Sequence, residues 1–408
     1  MRKIKKVIKR YLKVVLNRVG CWAYSYFCNV KSDRNVVLLL DSIREPNAPL
    51  IDNFAMFDYM MSLDTCAVRP VYLVNEASPK AAELVEKYHD NVMVICKKKR
   101  IRTFLSLARI FKETFAVCQT TMGLQWLTFG ADAALKRSKN VSNIFTQHGV
   151  TYFKDKFISR RMYGKKFFNK VMLSSVVEVP IFEERGGYSP DDIIRNGLFR
   201  WDSMLENRDT TVSKVIFLYF TYRYYMCKIC GEQIRESTYV RRIQELLDAN
   251  TLRRMADAGY TIKMAVHHSA LGGNYFTIPE FIEIVSEDDI ASVKKEASVL
   301  VTDCSSMCFE MMKMSKPVIF YDLLDDEDCR KYRARQDFVR IAEKTAYLGF
   351  LTKGTRYSAD MSSFTECLEE AVQGRISGAT YEKLFFYEGD FRKRFYEYLV
   401  HMVVQNVC

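Results

Sequence analysis

Short apolar runs of four to six residues alternate with segments of helical period along most of the chain. Residues 35–40 (NVVLLL), 71–74, 91–96, 115–119 and 141–146 read as strands, with helices predicted over 52–62, 80–88 and 103–112. Apolar strands separated by helices pack as a parallel sheet covered on both faces. The polar stretch 206–214 (ENRDTTVSK) interrupts this pattern, which then restarts. Strands are expected at 215–220, 261–266, 281–285, 298–302 and 317–321, and helices over 239–258, 289–297, 306–314 and 381–404. The predicted fold class is α/β, with two Rossmann-like lobes at 32–205 and 206–408 and a segment of different character at 1–31. Two such open sheets facing a cleft would bind ligands beyond the carboxyl ends of their strands.

Residues 1–31 are set apart by charge. Arg2, Lys3, Lys5, Lys6, Lys9, Arg10, Lys13, Arg18 and Lys31 supply nine positive charges ahead of any acid, most of the formal net charge of +12. The excess therefore belongs to a tail and not to a broad basic face, which argues against a nucleic-acid partner. On a helical wheel Ile4, Val7, Ile8, Tyr11, Leu12, Val15 and Val19 gather on one side and the basic residues fall mainly opposite. Trp22, Tyr24, Tyr26 and Phe27 follow, of the aromatic type found at lipid headgroups. An amphipathic helix lying on an anionic membrane surface fits this pattern, with the protein peripheral on the cytoplasmic face. A basic helix packed on its own domain is the other reading. No run approaches the ~20 apolar residues of a spanning helix.

The twelve cysteines form no small-domain framework and read as reduced thiols. Cys227 and Cys230 make a lone C-x-x-C without a second matching pair, so packed thiols are favoured over zinc, and neither a metal nor a cofactor is expected. P-loop, dinucleotide and zincin signatures are missing from the sequence.

Polar residues at strand ends are the candidates for chemistry. The strand 141–146 runs into Gln147-His148-Gly149, where glycine would let the chain turn and present His148, an imidazole able to accept a proton near neutrality. Strand 261–266 ends at His267-His268. Strand 298–302 ends in Thr302-Asp303-Cys304-Ser305-Ser306, followed at once by a helix. Such residues cap helices, and the same geometry seats an anion on free amides, with Thr302, Ser305 and Ser306 as added donors. Thr221 and Arg223, just past strand 215–220, would clamp the same phosphates.

Together these segments resemble the CDP-glycerol:poly(glycerophosphate) glycerophosphotransferase family of teichoic-acid-type polymer synthesis. The family's His-Gly motif matches Gln147-His148-Gly149, and its G-x-P-R-x-D motif matches Gly197-Leu198-Phe199-Arg200-Trp201-Asp202, with Phe199 in place of proline. Its P-T-x-R strand end matches Phe220-Thr221-Tyr222-Arg223, and its His-Pro corresponds to His267-His268. The most specific match is Leu300-Val301-Thr302-Asp303-Cys304-Ser305-Ser306, resembling L-[IV]-T-D-Y-S-S and continuing through Phe309-Glu310, with Glu310 for the family's aspartate.

The resemblance implies the GT-B arrangement, attachment to the membrane, and transfer of glycerol phosphate or another polyol phosphate from CDP-glycerol or another CDP-polyol, releasing CMP. The acceptor would be a hydroxyl of a lipid-linked polyol-phosphate or saccharide chain, teichoic-acid-like or capsular. His148, His267 and Asp303 are the expected catalytic residues, with either histidine as the base. Arg223, Thr221, Thr302, Ser305, Ser306 and Glu310 would hold the CDP-polyol, while Gln147, Gly149, Arg200 and Asp202 belong to acceptor or structural motifs. The competing readings are a GT-B glycosyltransferase using a nucleotide sugar and a non-catalytic membrane scaffold.

Overall fold

Strand β1 (Val36–Leu40) is buried at all five positions, and its alternating side chains feed two different cores. Val36, Leu38 and Leu40 join Tyr24, Leu107 and Phe111 on one face, whereas Val37 and Leu39 join Met56, Phe57, Phe395 and Leu399 on the other. A strand apolar on both sides has to lie between two helical layers. The computed structural model in which this is seen describes residues 2–30, 33–43, 50–96, 100–121, 130–153, 168–206, 213–221, 223, 232–265, 275–286, 288–324, 326–331, 341–376 and 381–407.

The chain divides into two compact units. The first comprises residues 1–150, 157–202 and 389–408, the second residues 151–156 and 203–388. In the first unit β1 joins β2 (Arg69–Asn75), β3 (Val92–Ile95), β4 (Thr114–Gln119), β5 (Ser142–Phe145), β6 (Lys170–Leu173) and β7 (Ile193–Arg195), in the spatial order β3-β2-β1-β4-β5-β6-β7. In the second, β8 (Val215–Tyr219), β9 (Thr261–Ala265), β10 (Ile282–Val285), β11 (Val299–Thr302), β12 (Val318–Tyr321) and β13 (Thr355–Ser358) are ordered β10-β9-β8-β11-β12-β13. Every strand pair is parallel. The order reverses between β1 and β4 in one unit and between β8 and β11 in the other. These switch points are where connections leave in opposite directions and open a crevice at the strand carboxyl ends.

The α/β class and the parallel sheets match the sequence expectation, and three details differ. The helix expected over 239–258 is two helices, Thr238–Leu247 and Asn250–Asp257, because Ala249 between them is extended. Strands β6, β7 and β13 escaped the apolar pattern: two are short, and β13 (TRYS) is a half-exposed edge strand. The closing helix runs over Phe391–Val407 and packs its Phe395 and Leu399 on the first sheet, not on the second half of the chain.

The segment Gly197–Asp202 fastens that closing helix. The Asp202 carboxylate accepts the amides of Phe391 (3.0 Å) and Arg392 (2.8 Å) and pairs with the Arg392 guanidinium at 3.1 Å. It thus caps the free N–H groups of the first turn. A methyl group at Gly197 would overlap the Phe391 ring, which accounts for glycine there.

The N-terminal helix, Arg2–Asn29, packs one side on the first unit and leaves the other open. Tyr24 is 0% exposed and Cys21 and Cys28 are buried in the first unit, whereas on the opposite side Trp22 is 75% exposed and Val15, Val19 and Tyr26 are also open. Gly130 lets this helix approach closely, since a side chain there would run into the backbone of Asn17 and Cys21. The side chains of residues 1–13 lie outside the described set. Among the described residues no helix is long and apolar enough to cross a membrane.

Asp202→Ala should lower the unfolding free energy by about 1 to 2 kcal/mol, the usual cost of a lost cap. Gly197→Ala should cost more, through overlap in a packed core. Denaturant midpoints check both; an unchanged midpoint for Asp202→Ala would show that the cap contributes nothing.

Candidate functional site

In the second unit the polar groups collect at the β8/β11 switch point. Thr302 lies opposite Tyr219 in the ladder, and its hydroxyl donates to the Tyr219 carbonyl at 2.5 Å. One residue on, the Asp303 carboxylate accepts the Thr221 amide at 2.9 Å and a guanidinium N–H of Arg223 at 2.5 Å. Both charged side chains are wholly excluded from solvent. Arg223 also donates to the Thr221 carbonyl at 3.2 Å and lies over the Tyr239 ring at 5.2 Å. Asp303 and Arg223 therefore brace the loops that leave β8 and β11.

The next residues begin the helix Met307–Lys313. The Ser305 hydroxyl accepts the Met307 amide at 3.2 Å, and the Ser305 and Ser306 carbonyls accept the amides of Cys308 and Phe309. Ser306 is half-buried, with its hydroxyl uncommitted to a cap. Thr221 Oγ1 is buried and has no hydrogen-bond partner among the described residues. Glu310, expected to touch substrate, forms a largely buried ion pair with Lys294. Cys304, where the family pattern has tyrosine, is completely buried with its sulfur 3.5 Å from Arg223.

In the first unit the turn after β5 is built differently from the sequence expectation. The left-handed residue is Gln147, at φ 63°, while Gly149 keeps an ordinary φ. Gln147 is fully buried and anchored: its amide donates to Glu178 Oε1 at 2.6 Å and accepts the Ser174 hydroxyl at 3.0 Å. His148 is turned outward and exposed, with Nδ1 3.0 Å from the Thr120 carbonyl. A carbonyl can only accept, so Nδ1 carries a proton, which makes Nε2 the acceptor nitrogen of the ring in its neutral form. Arg200 forms an ion pair with buried Asp52 and reaches the His148 carbonyl at 3.4 Å.

A polar scaffold lies beneath this turn. Asn53 donates to the carbonyls of Leu40 and Cys118 and accepts the Thr146 hydroxyl, tying together the ends of β1, β4 and β5. Buried Asp41 accepts the amides of Asn53 and Phe54 and the Tyr72 hydroxyl. Burial raises its carboxyl pKa above the ordinary value, and these hydrogen bonds partly oppose the rise.

Of the expected residues, Thr221, Arg223, Thr302, Asp303, Ser305 and Ser306 come together at one switch point, and Gln147, His148, Gly149 and Arg200 at the turn after β5. Asp202 caps the closing helix. His267, along with Cys227 and Cys230, lies outside the described residues. The eight cysteines whose side chains are described form no disulfide. Sequence reasoning missed Asp52, Asn53, Thr120 and Glu178. Only Glu178 carried a local signal, the capping box Ser175-x-x-Glu178.

Comparisons with known proteins agree with this fold. Among solved structures, a variant of the wall teichoic acid polymerase TagF superposes with a TM-score of 0.61 at 14% identity, covering 100% of both chains. A TagF variant soaked with CDPG gives 0.53 at 14% identity, covering 100% of this chain and 99% of that one. The UDP-GlcNAc 2-epimerase from Neisseria meningitidis, bound to UDP-GlcNAc, gives 0.54 at 13% identity over 90% and 99% of the two chains. At such identities the likeness is one of fold. No curated protein sequence matches the chain significantly. The profile of the CDP-glycerol:poly(glycerophosphate) glycerophosphotransferase family, however, matches residues 23–347, so this chain belongs to that family and is a CDP-glycerol glycerophosphotransferase.

Proposed function

We propose that the carboxyl end of β11 seats the diphosphate of CDP-glycerol and that His148 is the general base of the transfer. The observation that carries this reading is the placement of His148: exposed just past β5, with Nδ1 donating to the Thr120 carbonyl, a bond that makes Nε2 the basic nitrogen of the neutral ring. An acceptor hydroxyl gives its proton to Nε2 as its oxygen bonds to the β-phosphorus. The bond from that phosphorus to the bridging oxygen breaks, and CMP leaves with the electron pair. Positioning and charge stabilisation supply most of the rate in such reactions.

The donor seat is assigned to Ser305, Ser306 and Thr221. The Thr221 hydroxyl lacks a protein partner among the described residues, and the Ser306 hydroxyl is not spent on capping. Arg223, Thr302 and Asp303 take a different part from the one expected. Their polar atoms are committed to each other and to the β8 carbonyl end, so they hold the loop in shape. Glu310 does the same for the helix Met307–Lys313 through Lys294. His267, which stands at the family's His-Pro motif, is assigned to a phosphate oxygen.

The acceptor in this proposal is the hydroxyl end of a lipid-linked polyol-phosphate or saccharide chain, and the protein is peripheral to the membrane. Val15, Val19, Trp22 and Tyr26 recur at three- and four-residue spacing on the open side of the N-terminal helix. The basic residues at positions 2–13 favour anionic lipid. Burial of Cys21, Tyr24 and Cys28 means that removing the whole segment would strip one face of the first unit. Point substitutions on the open side are the cleaner perturbation.

His148→Ala and His267→Ala should each lower turnover about a hundredfold or more with folding intact. The assay is CMP release from CDP-glycerol in the presence of a membrane-bound acceptor. Near-normal release by both variants would overturn the site assignment, and release of a nucleoside diphosphate from a nucleotide sugar would favour a glycosyltransferase. Val19→Asp combined with Trp22→Asp should release the protein from phosphatidylglycerol vesicles in a flotation assay. Undiminished binding would place the membrane contact elsewhere.

A further inference from the structure

Gln147 stands in the left-handed region, at φ 63°, a conformation that costs a residue with a side chain on the order of 1–3 kcal/mol. Nothing in the local sequence prefers it, since the glycine of the motif is two residues further on. Something therefore has to hold it. The side chain of Gln147 is completely buried, and both ends of its amide are engaged, one by Glu178 and the other by Ser174.

Glu178 is itself fixed from below. Its second carboxylate oxygen accepts the amides of Ser174 (2.9 Å) and Ser175 (3.0 Å), closing the turn that leaves β6. The carboxylate is 0% exposed. A single buried group thus joins the ends of β5 and β6 and grips the side chain adjacent to His148. Charge-assisted hydrogen bonds of this kind are about twice as strong as neutral ones, enough to offset the cost of the left-handed residue.

We infer that Glu178 is a positioning residue for the transfer reaction: by anchoring the Gln147 amide it holds residue 147 left-handed, which points His148 outward with Nδ1 on the Thr120 carbonyl. The inference rests on the reading of His148 as the base. It goes beyond that reading in assigning the ring's orientation and tautomer to a carboxylate that never meets substrate. Without the anchor residue 147 relaxes toward negative φ, and the following peptide rotates. Misplacement of a reacting group by about 1 Å is enough to cost on the order of a hundredfold in rate.

The test uses the full chain and three variants. Glu178→Ala should lower kcat for CMP release about ten- to a hundredfold, with KM for CDP-glycerol within about twofold of the wild type. Adding Gln147→Gly to Glu178→Ala should recover about tenfold of that loss, because glycine adopts positive φ without an anchor. Glu178→Gln should keep most of the activity, since a flipped Gln147 amide can still pair with it. A role confined to closing the 174–178 turn predicts no recovery with glycine at 147, and that outcome overturns the inference, as does full activity of Glu178→Ala.

Ring-nitrogen NMR of histidine-labelled protein, with the His148 signals assigned from a His148→Gln variant, reads the same claim without catalysis. The Nδ1-protonated form should dominate in the wild type, give way to a mixture in Glu178→Ala and return in the double variant. Full turnover by His148→Gln would reject the base reading alone. An unchanged tautomer in Glu178→Ala would reject the positioning role alone.

Discussion

A parallel sheet gathers the unpaired carboxyl ends of its strands along one edge, and burial forbids leaving those groups without hydrogen bonds. Both candidate centres in this chain follow from that constraint. At the end of β8 and β11 it is met by Asp303, which takes the Thr221 amide and the Arg223 guanidinium into a pair fully shielded from water. Such a pair is costly to form, and removing one partner leaves a buried charge worth about 3–5 kcal/mol. Its value here is geometric: it fixes two loops where the strand order reverses. At the ends of β1, β4 and β5 the same demand is met without a buried cation, through Asn53, Asp41 and the carbonyl of Thr120.

The division of labour that results separates residues that hold shape from those left open. Thr302, Asp303, Arg223 and Glu310 are satisfied by protein partners, and Asp202 is spent on the closing helix. Ser306 keeps a hydroxyl that is not spent on a cap, and His148 is exposed at its strand end. A sequence motif therefore mixes two kinds of residue that its letters do not distinguish. Within Thr302–Ser306 the first two positions brace the loop, and the last two are the ones we propose to meet a ligand.

Much of the fold was readable because it is written in burial. β1, β4 and β11 are buried at every position and apolar except at the ends of β4 and β11, as fits a strand covered on both faces. β13 was not readable, since an edge strand with two half-exposed residues needs no apolar run. The helix expected over 239–258 kept its period through a break, because Ala249 can be extended without disturbing which side is apolar. In the sites, His148 and the Thr302–Ser306 cluster announced themselves by lying directly after strands. The partners that define them did not. Thr120 acts through its backbone, which any residue supplies, and Glu178 is 31 positions from the glutamine it anchors. The turn was expected to rest on the glycine, and its left-handed residue is instead Gln147, held by tertiary hydrogen bonds.

The account depends most on the donor diphosphate lying at the start of the helix Met307–Lys313. A structure of the chain with CDP-glycerol bound, under conditions that prevent turnover, tests this directly. It should show phosphate oxygens within hydrogen-bond distance of the Ser305 and Ser306 amides, with the Asp303–Arg223 pair unbroken. A diphosphate bound elsewhere, with the Ser306 turn open to water, would contradict the account.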